Sequence, residues 1–305
     1  MAKFNQPDPR NDDTFVWVNG LVPRAEAKIS VLDSAVQGGD AVWEGLRVMR
    51  GRALQLEEHL SRLLDSAHAL AFQHIPPRDE LRAAILSTLE ANGMCDHVHA
   101  RITLTRGLKT TSGMDPRLNA FGPTFIVLPE HKGMVYGDGG IRLITASVRR
   151  NSPSCLDSKI HHNNLLNNIL AKIEANVAGA DDAIMLDLEG FVAETNATNV
   201  FAVRKGCLIT PAPTACLPGL TRQLVLELAH QMGIRVEERR VSLTEFHTAE
   251  EVFTTGTMGG LAHVTEIDGR RIGSPQTRGE VTAKLQSAYM EAVWSTGTPL
   301  NYCEL

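Results

Sequence analysis

The chain has 305 residues, 43% hydrophobic and 21% charged, with a formal net charge of -5. This is the balance of a soluble globular protein with one large domain or two of ordinary size. The acidic balance and the lack of a Lys/Arg-rich block exclude a nucleic-acid-binding surface, and no apolar run is long enough to span a bilayer. The first ten residues lack the apolar core of a signal peptide.

Phe15 to Val18 reads as a strand, turned back by Asn19-Gly20. Leu46 to Met49 is a second strand, closed by Arg50-Gly51-Arg52. Leu60, Leu63, Leu64, Ala67 and Leu70 form one apolar stripe, which predicts a helix from Glu57 to Ala71. A second helix runs from Arg78 to Ala91, between Pro76-Pro77 and Asn92-Gly93. From Val98 to Thr105 the pattern alternates, placing Val98, Ala100, Ile102 and Leu104 on one face and His97, His99, Arg101, Thr103 and Thr105 on the other. Phe125 to Leu128 is a buried strand. Pro129 to Gly140, rich in Pro, Gly and charge, is the linker candidate. Ile141 to Val148 is a strand, and a helix over Asn163 to Ala178 turns Leu165, Leu166, Ile169, Ile173 and Val177 inward. Short strands follow over Ala183–Leu188, Phe191–Glu194, Val200–Val203 and Cys207–Thr210. A helix over Leu220 to Met232, a hairpin over Asp268-Gly269 and a last helix over Gly279 to Trp294 complete the chain. Strands and helices in mixed runs indicate an α+β fold.

The five cysteines (Cys95, Cys155, Cys207, Cys216 and Cys303) are scattered, with no C-x-x-C. This spacing predicts neither a zinc site nor a disulfide framework and fits a reducing cytoplasm.

Several segments carry chemistry-bearing residues. Lys159, in Asp157-Ser158-Lys159-Ile160-His161-His162-Asn163-Asn164, stands before an apolar helix. A solvated turn lysine fits that position, and so does a Schiff-base lysine of depressed pKa. Leu217-Pro218-Gly219-Leu220-Thr221-Arg222 opens a helix, either as an ordinary cap or as an anion site built from free N–H groups. Thr254-Thr255-Gly256-Thr257-Met258-Gly259-Gly260 lets the backbone approach a ligand, or is a turn. It matches neither common nucleotide-loop pattern. Glu194 ends an apolar strand, where it either bonds its own turn or pairs with a pyridinium nitrogen. The His97 to Thr105 face is a solvent-facing edge, a carboxylate grip through Arg101 or a poor metal site. His161 and His162 either orient Lys159 or cap the helix after it.

In order along the chain stand Trp43-Glu44-Gly45-Leu46-Arg47, Glu58-His59-Leu60-Ser61-Arg62-Leu63, the Lys159 segment, Glu194-Thr195-Asn196-Ala197-Thr198-Asn199, Leu217 to Arg222, and Glu251-Val252-Phe253-Thr254-Thr255-Gly256-Thr257. Together they resemble the fold-type IV (class IV) pyridoxal-phosphate enzymes, branched-chain aminotransferases above all. The resemblance implies a two-domain α+β fold: a small N-terminal α/β domain (1–130), an interdomain loop (131–140) and a larger C-terminal cofactor-binding domain (141–305). It implies pyridoxal 5'-phosphate on Lys159 as an internal aldimine, and ping-pong transfer of an amino group from an amino acid to a 2-oxo acid. Glu194 would hold the pyridine nitrogen. Arg62, Leu220, Thr221, Gly256 and Thr257 would hold the phosphate, with Asn164 beside the ring. Trp43, His99, Arg101, Thr257 and Met258 would face the substrate. No metal is implied, the partners are small molecules, and the assembly is a homodimer or larger.

Where branched-chain enzymes carry tyrosines, this chain has Asn164, Gly38 and His99, and Trp43 replaces a phenylalanine. Thr105-Arg106-Gly107 looks more like the D-amino-acid aminotransferase and aminodeoxychorismate lyase branches. A D-amino-acid or (R)-amine aminotransferase, a carbon–carbon lyase of the aminodeoxychorismate type, and a non-enzymatic binding protein on the same scaffold are the rival readings.

Overall fold

In the computed structural model, which describes residues 8–137, 139–273 and 278–303, the chain divides into two units. The first takes in residues 8–133, 160–164 and 293–303. Its strands are β1 (Phe15–Val18), β2 (Leu21–Pro23), β3 (Ala41–Met49), β4 (Arg52–Leu54), β5 (Val98–Thr105) and β6 (Phe125–His131), with the C-terminal strand Thr298–Pro299 on the edge. From that edge strand the order is β4-β3-β5-β6-β1-β2, antiparallel throughout. Asn19 adopts the left-handed φ of 50° that the tight β1–β2 turn demands.

Helices α1 (Ser34–Gly38), α2 (Leu56–Ala69) and α3 (Arg78–Ala91) belong to this unit. Leu60 and Leu63 of α2 and Leu81, Ile85 and Leu89 of α3 join Leu46, Val48, Ala100, Ile102 and Leu104 in one core. Each Leu, Ile or Val among them contributes about 1.5–3 kcal/mol by leaving water. The expected helices and alternating strand are all found. One expectation is corrected: β5 lies between β3 and β6, so its polar face is not a solvent-facing edge, and Thr103 and Thr105 are buried. β6 also takes in Pro129, Glu130 and His131, which composition alone had placed in the linker.

The second unit takes in Met134–Lys159 and Leu165–Ala292. Its strands are β7 (Ile141–Thr145), β8 (Asp182–Leu186), β9 (Val192–Thr195), β10 (Asn199–Arg204), β11 (Cys207–Pro211), β12 (Arg235–Arg239), β13 (Glu251–Gly256), β14 (Gly260–Ile267) and β15 (Arg270–Arg271). The sheet order is β12-β11-β10-β13-β14-β7-β8-β9, with β15 on β14. β7 runs parallel to β8 and β14, and β11 parallel to β12. The helices are α4 (Leu166–Val177), α5 (Leu220–Gln231), α6 (Leu243–His247) and α7 (Glu280–Thr296), the last running on into the first unit. Ile184, Val200, Ile209, Phe246 and Val264 anchor the core, and Phe201 stacks on Phe253 at 5.0 Å.

Two readings are overturned here. The apolar stripe of α4 points away from the sheet: in the single chain Leu166 is 73% and Val177 86% exposed, with Ile169 and Ile173 half exposed. The face against the sheet is Ala171 and Ala175, packed on Ala146, Ala183 and Met185. Small side chains let the helix lie close, and the larger apolar groups are left outward. Second, Cys95 and Cys303 form a disulfide across 208 residues of sequence. Spacing gives no hint of it, because the pair meets only when the C-terminal strand docks on β4. Cys155, Cys207 and Cys216 are unpaired.

Candidate active site

In the second unit, Glu194 lies on β9 opposite Met185 and is buried. Arg150 donates its Nε–H to Glu194 Oε1 at 2.6 Å, and Asn199 donates its amide to Oε2 at 3.2 Å. Burial pushes the Glu194 carboxyl up, against the opposing pull of Arg150 and the Leu217 backbone. The carboxylate therefore does not merely bond its own turn. It is held by a buried guanidinium that the sequence, showing only two arginines after a strand, did not single out.

Asn199 also donates to the Leu217 carbonyl at 2.8 Å, tying the Glu194 region to the start of α5. That helix has Gly219 at its N-cap with no side-chain cap bond. A Cβ at Gly219 would stand 2.2 Å from the Asn199 side-chain oxygen, so only glycine fits this close approach. Thr221 does not cap the helix: its hydroxyl is buried without a hydrogen-bond partner, as are those of Thr254 and Thr255 and the Nε of Arg222. Thr255 pairs across the ladder with Asn199. Leu220, Gly256, Thr257 and Met258 are half-buried, and the last two lie in the turn from β13 to β14. A Cβ on Gly256 would meet the Thr198 methyl at 3.0 Å.

Lys159 is exposed. Its side chain is 46% exposed, and its Nζ lies 3.4 Å from Asp157 Oδ1. It does share its surroundings with the groups above. Glu194, Arg222, Arg150 and Lys159 all act electrostatically on the Cys216 thiol, which burial, with Glu194, pushes up to about 12. Cys216 was not foreseen either, since a lone cysteine carries no pattern.

In the first unit, β3 and β5 bring Trp43, His99 and Arg101 to one face. The Arg101 guanidinium lies 4.0 Å from the Trp43 ring centre and donates to Asn163 Oδ1 at 3.1 Å. His99 Nε2 is buried without a partner, and a Cβ on Gly45 would stand 3.1 Å from it. Burial, with Lys132, Arg101 and Arg47 nearby, lowers its pKa to about 4. Asn164 donates its side-chain amide to the Gly39 carbonyl at 2.9 Å. On the opposite face of β3, Arg62 donates through Nε and Nη2 to Glu44 at 2.7 and 2.8 Å. His161 Nδ1 lies 3.1 Å from the same carboxylate, and His162 Nδ1 accepts from the Asn164 backbone. Neither histidine caps α4. His97 stands outside β5 with φ 52°. Among the described residues no three metal-ligating side chains cluster.

The sequence profile of the class IV aminotransferases matches residues 41–267. Over 296 residues the chain is 58% identical to the branched-chain-amino-acid aminotransferase-like protein 2 of Arabidopsis thaliana, covering 96% of this chain and 53% of that one. It thus spans about half the length of that relative. It is 35% identical to the branched-chain-amino-acid aminotransferase of Pseudomonas aeruginosa over 291 residues, 92% of this chain and 93% of that protein. The fold is similar to the crystal structure of the T.th. branched-chain amino acid aminotransferase complexed with N-(5'-phosphopyridoxyl)-L-glutamate. There the TM-score is 0.86 at 33% identity, over 95% of this chain and 96% of that one. The chain belongs to the class IV aminotransferase family, and its two sheets are those of a mixed α/β, fold-type IV protein.

Proposed function

We propose that the protein is a pyridoxal 5'-phosphate-dependent transaminase that moves an amino group between an amino acid and a 2-oxo acid, as the branched-chain aminotransferases it resembles do. The observation that carries this reading is the start of α5. A helix N-terminus without a side-chain cap stands beside a buried, unpartnered Thr221 hydroxyl. Free N–H groups, the helix dipole and that hydroxyl suit a phosphate. The buried Thr255 hydroxyl supports the same fit.

In this reading Leu220, Thr221, Gly256, Thr257 and Arg62 would hold the phosphate, and Glu194 the pyridine nitrogen. When bound, the cofactor supplies a ring that takes up negative charge from the substrate α-carbon. Glu194, buried beside Arg150, would keep a proton available at that nitrogen. Lys159 would be the residue that holds the cofactor through its Nζ, and the same amine would move the proton at the substrate α-carbon. Asp157 steers that amine. Asn164 would stand beside the ring. Trp43, His99, Arg101, Thr257 and Met258 would be the substrate-facing residues, with the Thr257-Met258 turn taking the α-carboxylate. The division at 1–130, 131–140 and 141–305 belongs to this proposal.

The outward apolar stripe of α4 supports a homodimer. Among the described residues no helix is long and apolar enough to cross a membrane. A cytoplasmic site of action rests on the three unpaired cysteines; the Cys95–Cys303 bridge weighs against it, since disulfides are rare in reducing compartments.

The test is a donor screen with L- and D-amino acids and 2-oxoglutarate as acceptor. Acceptor-dependent glutamate formation from L-donors is the expected result. Pyruvate release without an acceptor, or transfer from D-donors only, would replace this reading.

A further inference from the structure

Glu44 is fully buried and its carboxylate is crowded. It accepts from Arg62 Nε at 2.7 Å and Nη2 at 2.8 Å. His59 Nδ1 lies 2.6 Å away and His161 Nδ1 3.1 Å away. An ionised carboxylate only accepts, so both imidazoles present Nδ1–H to it. The His59 Nε2 is buried without a partner. Burial opposes ionisation of Glu44, but His161, Arg62 and His59 outweigh it and hold the carboxyl well below the usual range. The permanent charge among them is that of Arg62. His161 is itself pushed down by burial, against the opposing pull of Glu44.

A buried ion pair of this kind is seldom more stabilising than an apolar cluster of the same volume. What it provides is orientation. His161 is two residues past Lys159, and its segment is laid along the part of β3 that β4 does not reach. Trp43 N–H donates to the His161 carbonyl at 2.8 Å, and Asn163 N–H to the Ala41 carbonyl at 2.9 Å. The His161 N–H donates to the Ser66 hydroxyl of α2 at 3.1 Å, and its ring packs on Trp43 at 4.2 Å. The Glu44 carboxylate joins this segment to Arg62.

We propose that Glu44 is a positioning residue, whose one buried carboxylate fixes both the Arg62 guanidinium and the polypeptide that leaves Lys159. Its consequence for catalysis rests on the transaminase reading, because it acts through Arg62 and Lys159. Its structural content does not.

The test uses the whole chain, with Glu44→Gln against Ile85→Val. The control trims a methyl from the same core without touching the network. In ligand-free protein, Glu44→Gln is expected to raise amide hydrogen exchange across 160–164 about tenfold, and Ile85→Val is not. On addition of pyridoxal 5'-phosphate, Glu44→Gln binds about tenfold more weakly. The pH midpoint of the bound coenzyme's visible absorption also shifts, which a general loss of stability does not produce. Adding His161→Gln to Glu44→Gln should change the exchange little further, because the two act through one contact. Wild-type exchange across 160–164 in Glu44→Gln overturns the proposal. Should that variant not fold, His161→Gln, at a side chain 15% exposed, carries the same test with the same two outcomes. If the wild-type protein takes up no pyridoxal phosphate, the transaminase reading falls while the exchange result still decides the role of Glu44.

Discussion

Arg150 Nε and Glu194 Oε1 stand 2.6 Å apart, each side chain only 6% exposed. A carboxylate so placed depends on its partner, since removing one member of a buried pair leaves the other charge without compensation. Arg150→Met should therefore lower stability by about 3–5 kcal/mol, read from urea denaturation midpoints and slopes. The double change Arg150→Met/Glu194→Leu should recover most of that loss. A single variant as stable as the parent would show that the pair is not closed in solution.

The thiols should separate into three classes. Cys155 is exposed, and Cys207 and Cys216 are buried, with Cys216 pushed up to about 12 mainly by burial. Iodoacetamide at pH 8 should label Cys155 in the native protein and add Cys207 and Cys216 only after unfolding. Cys95 and Cys303 should react only after reduction as well. Intact mass at each stage counts the labels; native labelling of Cys95 or Cys303 without reductant would remove the disulfide.

His99 gives a pH prediction. Its folded-state pKa is lowered to about 4 from 6.5, chiefly by burial, with Lys132, Arg101 and Arg47 adding to the effect and Glu130 opposing it. The unfolded chain thus takes up the proton first as pH falls. Stability from this group is complete above pH 6.5 and lost on the way down to about pH 4, a span worth about 3 kcal/mol. His99→Gln should flatten the stability profile over that window. Parallel profiles for the two proteins would contradict the assignment.

The α4 stripe makes a separate claim. Ile169 and Ile173, half exposed beside Leu166 and Val177, should lie in the contact between two copies. Ile169→Lys/Ile173→Lys should shift the sedimentation coefficient toward that of a monomer without unfolding the chain. An unchanged coefficient would place the contact elsewhere.

The parts of the fold legible in the sequence are those where periodicity is strong and burial one-sided. Arg78–Ala91 is found at the expected bounds, and so is β5, although its last four residues are all buried rather than alternating. β12, Arg-Val-Glu-Glu-Arg, escaped notice because its side chains are mostly charged and it lies at the sheet edge. α1 and α6 are five residues each, too short for a helical period to show. The outward turn of α4 could not be read, because an apolar stripe shows which side chains avoid water without showing whether the sheet covers them. At the site, Glu194, Thr221 and Arg62 stood in recognisable motifs. Arg150 did not, and the contacts of Glu44 with His59, Arg62 and His161 could not be read although each residue stands in such a segment, since they join residues far apart in sequence.

The central claim concerns the amine of Lys159. Purified protein incubated with pyridoxal 5'-phosphate, reduced with borohydride and digested should yield one phosphopyridoxyl-bearing peptide, with the label on residue 159. The same treatment of Lys159→Ala should give none. A wild-type digest free of label at that position, or carrying it equally on other lysines, would contradict the account.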